Sequence, residues 1–158
     1  MILFARRRED AKDGAIYNVE ELSAAVVDTG YKLHRDLGPG MLESAYEMLL
    51  AGKLRQYGLT VDRQVPINIE YDGVHIENAF RVDLLIEGKL VVEIKSVEQT
   101  LPVHAKQVII YLRLMRLPLG LLINFGAPTF RDGIRRLVNN HKDFASSRLR
   151  ANQREASN

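Results

Sequence analysis

Two short apolar runs, Val82-Asp83-Leu84-Leu85-Ile86 and Leu90-Val91-Val92-Glu93-Ile94-Lys95, lie on either side of Glu87-Gly88-Lys89, and each carries one carboxylate inside it. Aliphatic and β-branched residues bounded by a glycine turn read as two strands of a hairpin. A carboxylate buried in such a strand costs on the order of several kcal/mol unless it is paired or holds a cation, so two of them call for a reason. Side chains alternate along a strand, so Glu93 and Lys95 project from the same face. Asp83 joins that face if the hairpin loop holds an odd number of residues, which a three-residue loop with a glycine bulge satisfies. Two carboxylates and an ammonium would then converge, a set suited to Mg²⁺, or Mn²⁺ in its place, beside a phosphodiester. The competing reading of the same spacing is a surface salt-bridge cluster.

The rest of the chain supplies a frame for that hairpin. Asn18 is placed to cap a helix whose Leu22, Val26, Leu33 and Leu37 recur at helical spacing before Gly38-Pro39-Gly40 stops it. A second helix is expected over residues 41–57, with Leu42, Ala45, Leu49 and Leu50 as its inner stripe and Gly58 after its end. Strands are expected at residues 65–71, 79–86 and 90–94, forming an antiparallel meander. A third helix over 103–117 ends at Pro118. Residues 119–125 are continuously apolar, the mark of a strand buried on both faces, and 132–140 read as a closing helix. The order is ααβββαβα, an α/β fold with a mixed sheet of about four strands flanked by helices. A chain of 158 residues without repeats or linkers fits one domain, drawn here at 18–142, with the charged, aperiodic segments 1–17 and 143–158 expected to be poorly ordered.

Composition narrows the chemistry. No cysteine is present, which excludes disulfides, thiolate nucleophiles and zinc sites built on sulfur, and leaves oxygen or imidazole to hold any metal. The net charge is only +2, a mild balance for a nucleic-acid binder, although Arg131, Arg135, Arg136, Lys142, Arg148 and Arg150 outnumber Asp132 and Asp143 near the C-terminus. No apolar run reaches membrane-spanning length, and Met1-Ile2-Leu3-Phe4 stops at Arg6-Arg7-Arg8, too soon for a signal peptide, so a soluble, cytoplasmic chain without membrane contact is expected. Phosphate loops, nucleophile elbows and His-Glu-x-x-His helices are missing. His34, His75, His104 and His141 have no metal-ligand spacing and read as structural or surface residues. Gln107 and Tyr111, four apart on the third helix, share a face, and a glutamine there reads either as a site residue or as a satisfied core amide. Glu43, on the second helix three residues before Tyr46 and four before Glu47, would ordinarily be solvated.

Asp83, Glu93-Ile94-Lys95 and Gln107-x-x-x-Tyr111, on this element order, resemble the PD-(D/E)XK nuclease superfamily with its restriction-endonuclease-like core. Gly40, Glu43 and Tyr46 look like the hallmark of the GxxExxY protein family. His34-Arg35-Asp36-Leu37-Gly38, Gln64-Val65-Pro66 and Gly120-Leu121-Leu122-Ile123-Asn124-Phe125-Gly126 support that likeness over about residues 18 to 140. Val82 stands where the superfamily name has proline. The resemblance implies a metal-dependent nuclease acting on nucleic acid, DNA favoured over RNA, and it is compatible with a protein partner that targets it. In that reading Asp83 and Glu93 bind Mg²⁺, the Ile94 carbonyl and Glu43 complete its shell, Lys95 assists at the phosphate, and Gln107 and Tyr111 order the site. Two rival readings remain. One is a non-catalytic nucleic-acid or protein-binding module on the same scaffold, and the other is a hydrolase of phosphorylated small molecules.

Overall fold

The continuously apolar run becomes β4 (Leu119–Asn124), with all six residues buried. The computed structural model describes residues 17–140 and 149–153. Within them the order is α1 (Val19–Leu37), α2 (Glu43–Gln56), β1 (Val61–Tyr71), β2 (Val74–Ile86), β3 (Leu90–Lys95), α3 (Pro102–Met115), β4, α4 (Phe130–Gly133), β5 (Ile134–Val138) and β6 (Leu149–Gln153). The strands form one mixed sheet in the order β5-β4-β3-β2-β1-β6. β1, β2 and β3 make the expected antiparallel meander. The α3 crossover then sets β4 parallel to β3, from Leu90↔Leu119 to Lys95↔Asn124.

Alternation along β3 and β4 sends their side chains into two cores. Leu90, Val92, Ile94, Leu119, Leu121 and Ile123 pack beneath α1 and α2, with Leu22, Val26, Leu50 and Leu54. Val91 and Leu122 pack beneath α3, with Val108 and Leu112. Each fully buried aliphatic side chain contributes roughly 1.5–3 kcal/mol, so a sheet covered on both faces is what these strands require. α3 lies directly on the β4 backbone at Gly120, where an added Cβ would sit 2.8 Å from Val108 Cγ1. At the first turn of α1, the Asn18 side chain accepts the Glu21 N–H at 2.9 Å, as its capping position predicts.

Four expectations need correction. The segment expected as a closing helix over 132–140 is instead the short α4 followed by β5, antiparallel to β4. Ile134 and Leu137, three apart, imitate helical spacing, but β4 would otherwise present an unpaired backbone edge, and β5 satisfies it. The Arg136 guanidinium, bound to both carboxylate oxygens of Glu20, ties this strand to α1. The sheet has six strands where about four were expected, because β5 and β6 add to both edges. β1 and β2 both start earlier than the apolar pattern predicts; residues 72–78 are all exposed, so the first part of β2 carries no burial alternation. On α2 the inner stripe is Tyr46, Glu47, Leu50, Ala51 and Leu54, whereas Leu42 and Leu49 face outward at 77% and 42% exposure. Leu42 is not helical at all; it precedes the first turn with an extended backbone.

The segments expected to be poorly ordered fall largely on residues 1–16, 141–148 and 154–158, outside the described residues, as does His141. At their margins, Tyr17 is buried in the core and residues 149–153 pair with β1. No helix among the described residues is long and apolar enough to cross a membrane.

Candidate active site

The β2–β3 hairpin has the three-residue loop that parity requires. Its ladder runs Ile86↔Leu90, Leu85↔Val91 and Leu84↔Val92, with Glu87 and Gly88 both at positive φ in the turn. At the next position side chains replace the ladder. The Asp83 N–H donates to Glu93 Oε1 at 2.9 Å, and the Ile94 N–H donates to Asp83 Oδ2 at 2.9 Å. Each carboxyl group thus satisfies a backbone donor that strand pairing has released.

Asp83 is also where the other side of β2 is disturbed. Arg63↔Leu84 and Val65↔Val82 are paired, but the residue between them, Gln64, stands at φ 53. The β1–β2 ribbon changes face at this point. Val61, Leu84 and Ile86 belong to the core beneath α1 and α2, whereas Val65, Ile67 and Val82 belong to the core beneath α3. Asp83 therefore sits at a break in both of its ladders.

The electrostatics follow from burial. Glu93 is 7% exposed, and its carboxyl is pushed up to about 8, first by loss of hydration and then by the negative charge of Asp83, with Lys95 opposing the shift. Lys95 is half-buried and forms no ion pair among the described residues, which leaves its ammonium free to meet an anion. The Tyr111 phenol, buried on α3 and edge-on to Phe80 at 5.4 Å, is pushed up to about 12 by burial and then by the charges of Glu93 and Asp83. Tyr111 and the carboxylates therefore share one environment. Gln107, one turn earlier on α3, is exposed, so the core-amide reading does not hold.

A third carboxylate approaches from α2, and it is Glu47. Its side chain is buried, accepts from Arg63 Nε at 3.3 Å, and accepts from Gln64 Nε2 at 2.9 Å and 3.0 Å. The same Gln64 nitrogen donates to Asp83 Oδ1 at 3.2 Å. Glu43 is exposed on the first turn of α2, and no described hydrogen bond or ion pair joins it to Asp83 or Glu93. Sequence reasoning missed both Glu47 and Gln64. The available signal was that Glu47 follows Tyr46 and lies three and seven residues before Leu50 and Leu54, inside the apolar stripe once that stripe is placed correctly.

Among the described residues no three of His, Cys, Asp and Glu gather closely enough to enclose a metal. The Asp83–Glu93 pair still fits a hard divalent cation, because Mg²⁺ is held by one or two carboxylates and keeps much of its water. The buried Glu93 carboxyl, raised by loss of hydration and by the neighbouring charge of the half-buried Asp83, also lacks the positive charge that such a cation would bring.

The surroundings hold these groups in place. The Tyr46 ring stacks on Phe125 at 4.4 Å, its hydroxyl donates to the Gly38 carbonyl, and it accepts the Met41 N–H at 3.3 Å. Ser96, next to Lys95, donates to the Met41 carbonyl at 2.6 Å. The Asn124 amide binds Val97 through both N–H and carbonyl, which fixes the chain leaving β3. His34 donates from Nε2 to the Ala127 carbonyl at 2.8 Å, and His104 Nδ1 accepts the Leu101 N–H at 3.0 Å, so both rings are engaged with backbone groups.

Compared with known proteins, residues 20–137 match the family model of the PD-(D/E)XK nuclease superfamily. No curated protein and no solved structure matches. The matched span begins in the first turn of α1 and reaches into β5, so it includes the broken ladder with Asp83, Glu93 and Lys95 as well as the helices that flank it. Fold, carboxylate pair and family model agree, and the chain belongs to the PD-(D/E)XK nuclease superfamily.

Proposed function

We propose that this protein is a divalent-cation-dependent nuclease that hydrolyses phosphodiester bonds in nucleic acid, with DNA favoured over RNA, and that it lies in the GxxExxY branch marked by Gly40, Glu43 and Tyr46. The observation that carries this reading is the pair of bonds from the Asp83 N–H to Glu93 and from the Ile94 N–H to Asp83 at a break in the sheet, beside Lys95, which has no ion-pair partner among the described residues. An ordinary surface salt-bridge cluster would pair that lysine and leave the ladder intact.

Asp83 and Glu93 would hold Mg²⁺ or Mn²⁺ together with the Ile94 carbonyl, and Glu47, in place of Glu43, would be the helical carboxylate that supports them. When bound, the cation supplies positive charge at the scissile phosphate and acidifies a water for in-line attack. Lys95 orients that water and neutralises charge growing on the phosphate oxygens. Tyr111, kept protonated by burial, donates a hydrogen bond towards the carboxylates or a water beside them, and Gln107 meets the substrate from the exposed end of the same helix face.

Labelled single-stranded and double-stranded DNA and RNA, incubated with Mg²⁺, Mn²⁺ or EDTA, test the proposal. Metal-dependent cleavage that falls by on the order of 10³-fold in Asp83→Ala and Lys95→Ala is expected, equal to about 4 kcal/mol of transition-state stabilisation. Binding of nucleic acid without cleavage, unchanged in both variants, would make the protein a binding module on a nuclease scaffold.

A further inference from the structure

Gln64 occupies an unusual position. It lies between two regular β1–β2 pairs, opposite Asp83, yet its backbone is left-handed at φ 53, a conformation that side chains other than glycine and asparagine rarely adopt. Such a conformation persists where the surrounding contacts hold it, and here the contacts are made by the side chain. Its Nε2 meets Glu47 Oε1, Glu47 Oε2 and Asp83 Oδ1 at 2.9, 3.0 and 3.2 Å. All three partners are carboxylate oxygens, so the nitrogen end of the amide must face them; the oxygen end would only repel. A neutral donor thereby joins an anion on α2 to an anion on β2. Asp83 then has both oxygens directed, Oδ1 by Gln64 and Oδ2 by the Ile94 N–H.

We infer that Gln64 is a positioning residue for the metal site, fixing the rotation of the Asp83 carboxylate and holding Glu47 within one amide of it. The inference rests on the reading of Asp83 as a cation ligand. Groups that orient metal-binding side chains in this way typically govern metal affinity by roughly 10- to 100-fold.

The experiment is calorimetric titration of Mn²⁺ into wild type, Gln64→Gly, Gln64→Asn and Asp83→Asn, with folding checked by urea denaturation in EDTA. Glycine accepts the positive φ and removes only the amide; asparagine also tolerates that φ but withdraws the amide by one methylene. Gln64→Gly should weaken Mn²⁺ binding about 10- to 100-fold while the metal-free urea midpoint stays near the wild-type value, and Gln64→Asn should fall between. A wild type that binds Mn²⁺ in an Asp83-dependent way, with Gln64→Gly or a folded Gln64→Asn within about twofold of it, overturns the role of Gln64 and leaves the site standing. If wild type and Asp83→Asn bind Mn²⁺ alike, the metal-site reading fails and the role of Gln64 falls with it.

Discussion

The two edges of β3 are built differently. Towards β4 the strand is paired along its whole length, six residues in parallel register, with apolar side chains above and below. Towards β2 it is paired for three residues and then opens, and the donors released there are taken by Asp83 and Glu93. One strand thus serves as scaffold on one side and as reactive edge on the other. Charged groups can be kept within an apolar sheet when the ladder beside them is withheld and its N–H groups are turned to binding the charge.

The largest effect on stability should come from the paired edge. Leu121→Ala, at a site 1% exposed beneath α1 and α2, removes a side chain that the surrounding core cannot replace. A loss of about 2–5 kcal/mol in urea denaturation is expected. A loss under about 1 kcal/mol would mean that this edge is not the rigid one.

On the open edge a substitution should act in the opposite direction. The Glu93 carboxyl titrates near 8 in the folded chain, well above its ordinary value of 4.5, so the folded state holds this proton more tightly than the unfolded state does. The stability this contributes is complete below about pH 4.5 and is lost as pH rises through about 8. Glu93→Gln keeps an acceptor for the Asp83 N–H without the charge. In EDTA it should match wild type near pH 4 and exceed it by on the order of 2–4 kcal/mol at pH 9, whereas saturating Mg²⁺ should narrow the gap by stabilising wild type alone. Urea midpoints across this range decide it, and a gap independent of pH would mean that the open edge stores no electrostatic strain.

The smallest contrast separates the two helical glutamates. Glu47→Gln leaves Arg63 without its partner and weakens the link to Gln64, at a cost of about 1–3 kcal/mol. Glu43→Gln should stay within about 0.5 kcal/mol, as an exposed substitution does. Equal effects on thermal denaturation would remove Glu47 from the open edge.

Much of this contrast was legible in the sequence, and the reasons differ by element. Asp83, Glu93 and Lys95 could be placed on one face because strand parity and a glycine turn leave little freedom. β4 was legible because its run is apolar up to Asn124, as a strand buried on both faces requires. Glu47 was hidden by an α2 that is apolar on most sides, where Leu42 and Leu49 attract the inner stripe although both face outward. Gln64 was hidden because nothing in the sequence signals the left-handed backbone at the residue whose amide meets Glu47 and Asp83. β5 was hidden because five residues with Ile134 and Leu137 three apart fit a helical turn as well as an edge strand. The early part of β2 left no alternation to read, because Val74 to Asn78 are all exposed.

The fastening of Tyr46 sets a spacing requirement. Its hydroxyl reaches back to Gly38 and Met41, its ring is seated on Phe125, and Met41 in turn is tied to Ser96 beside Lys95. The stretch from Gly38 to Tyr46 therefore works as a gauge of fixed length between the strand that carries Lys95 and the helix that carries Glu47. A one-residue insertion would rotate every later side chain on α2 by about 100° and carry Glu47 off its partners. Variation in length should therefore be confined to other connections, such as the exposed Asp72-Gly73 turn, where nothing downstream depends on the residue count.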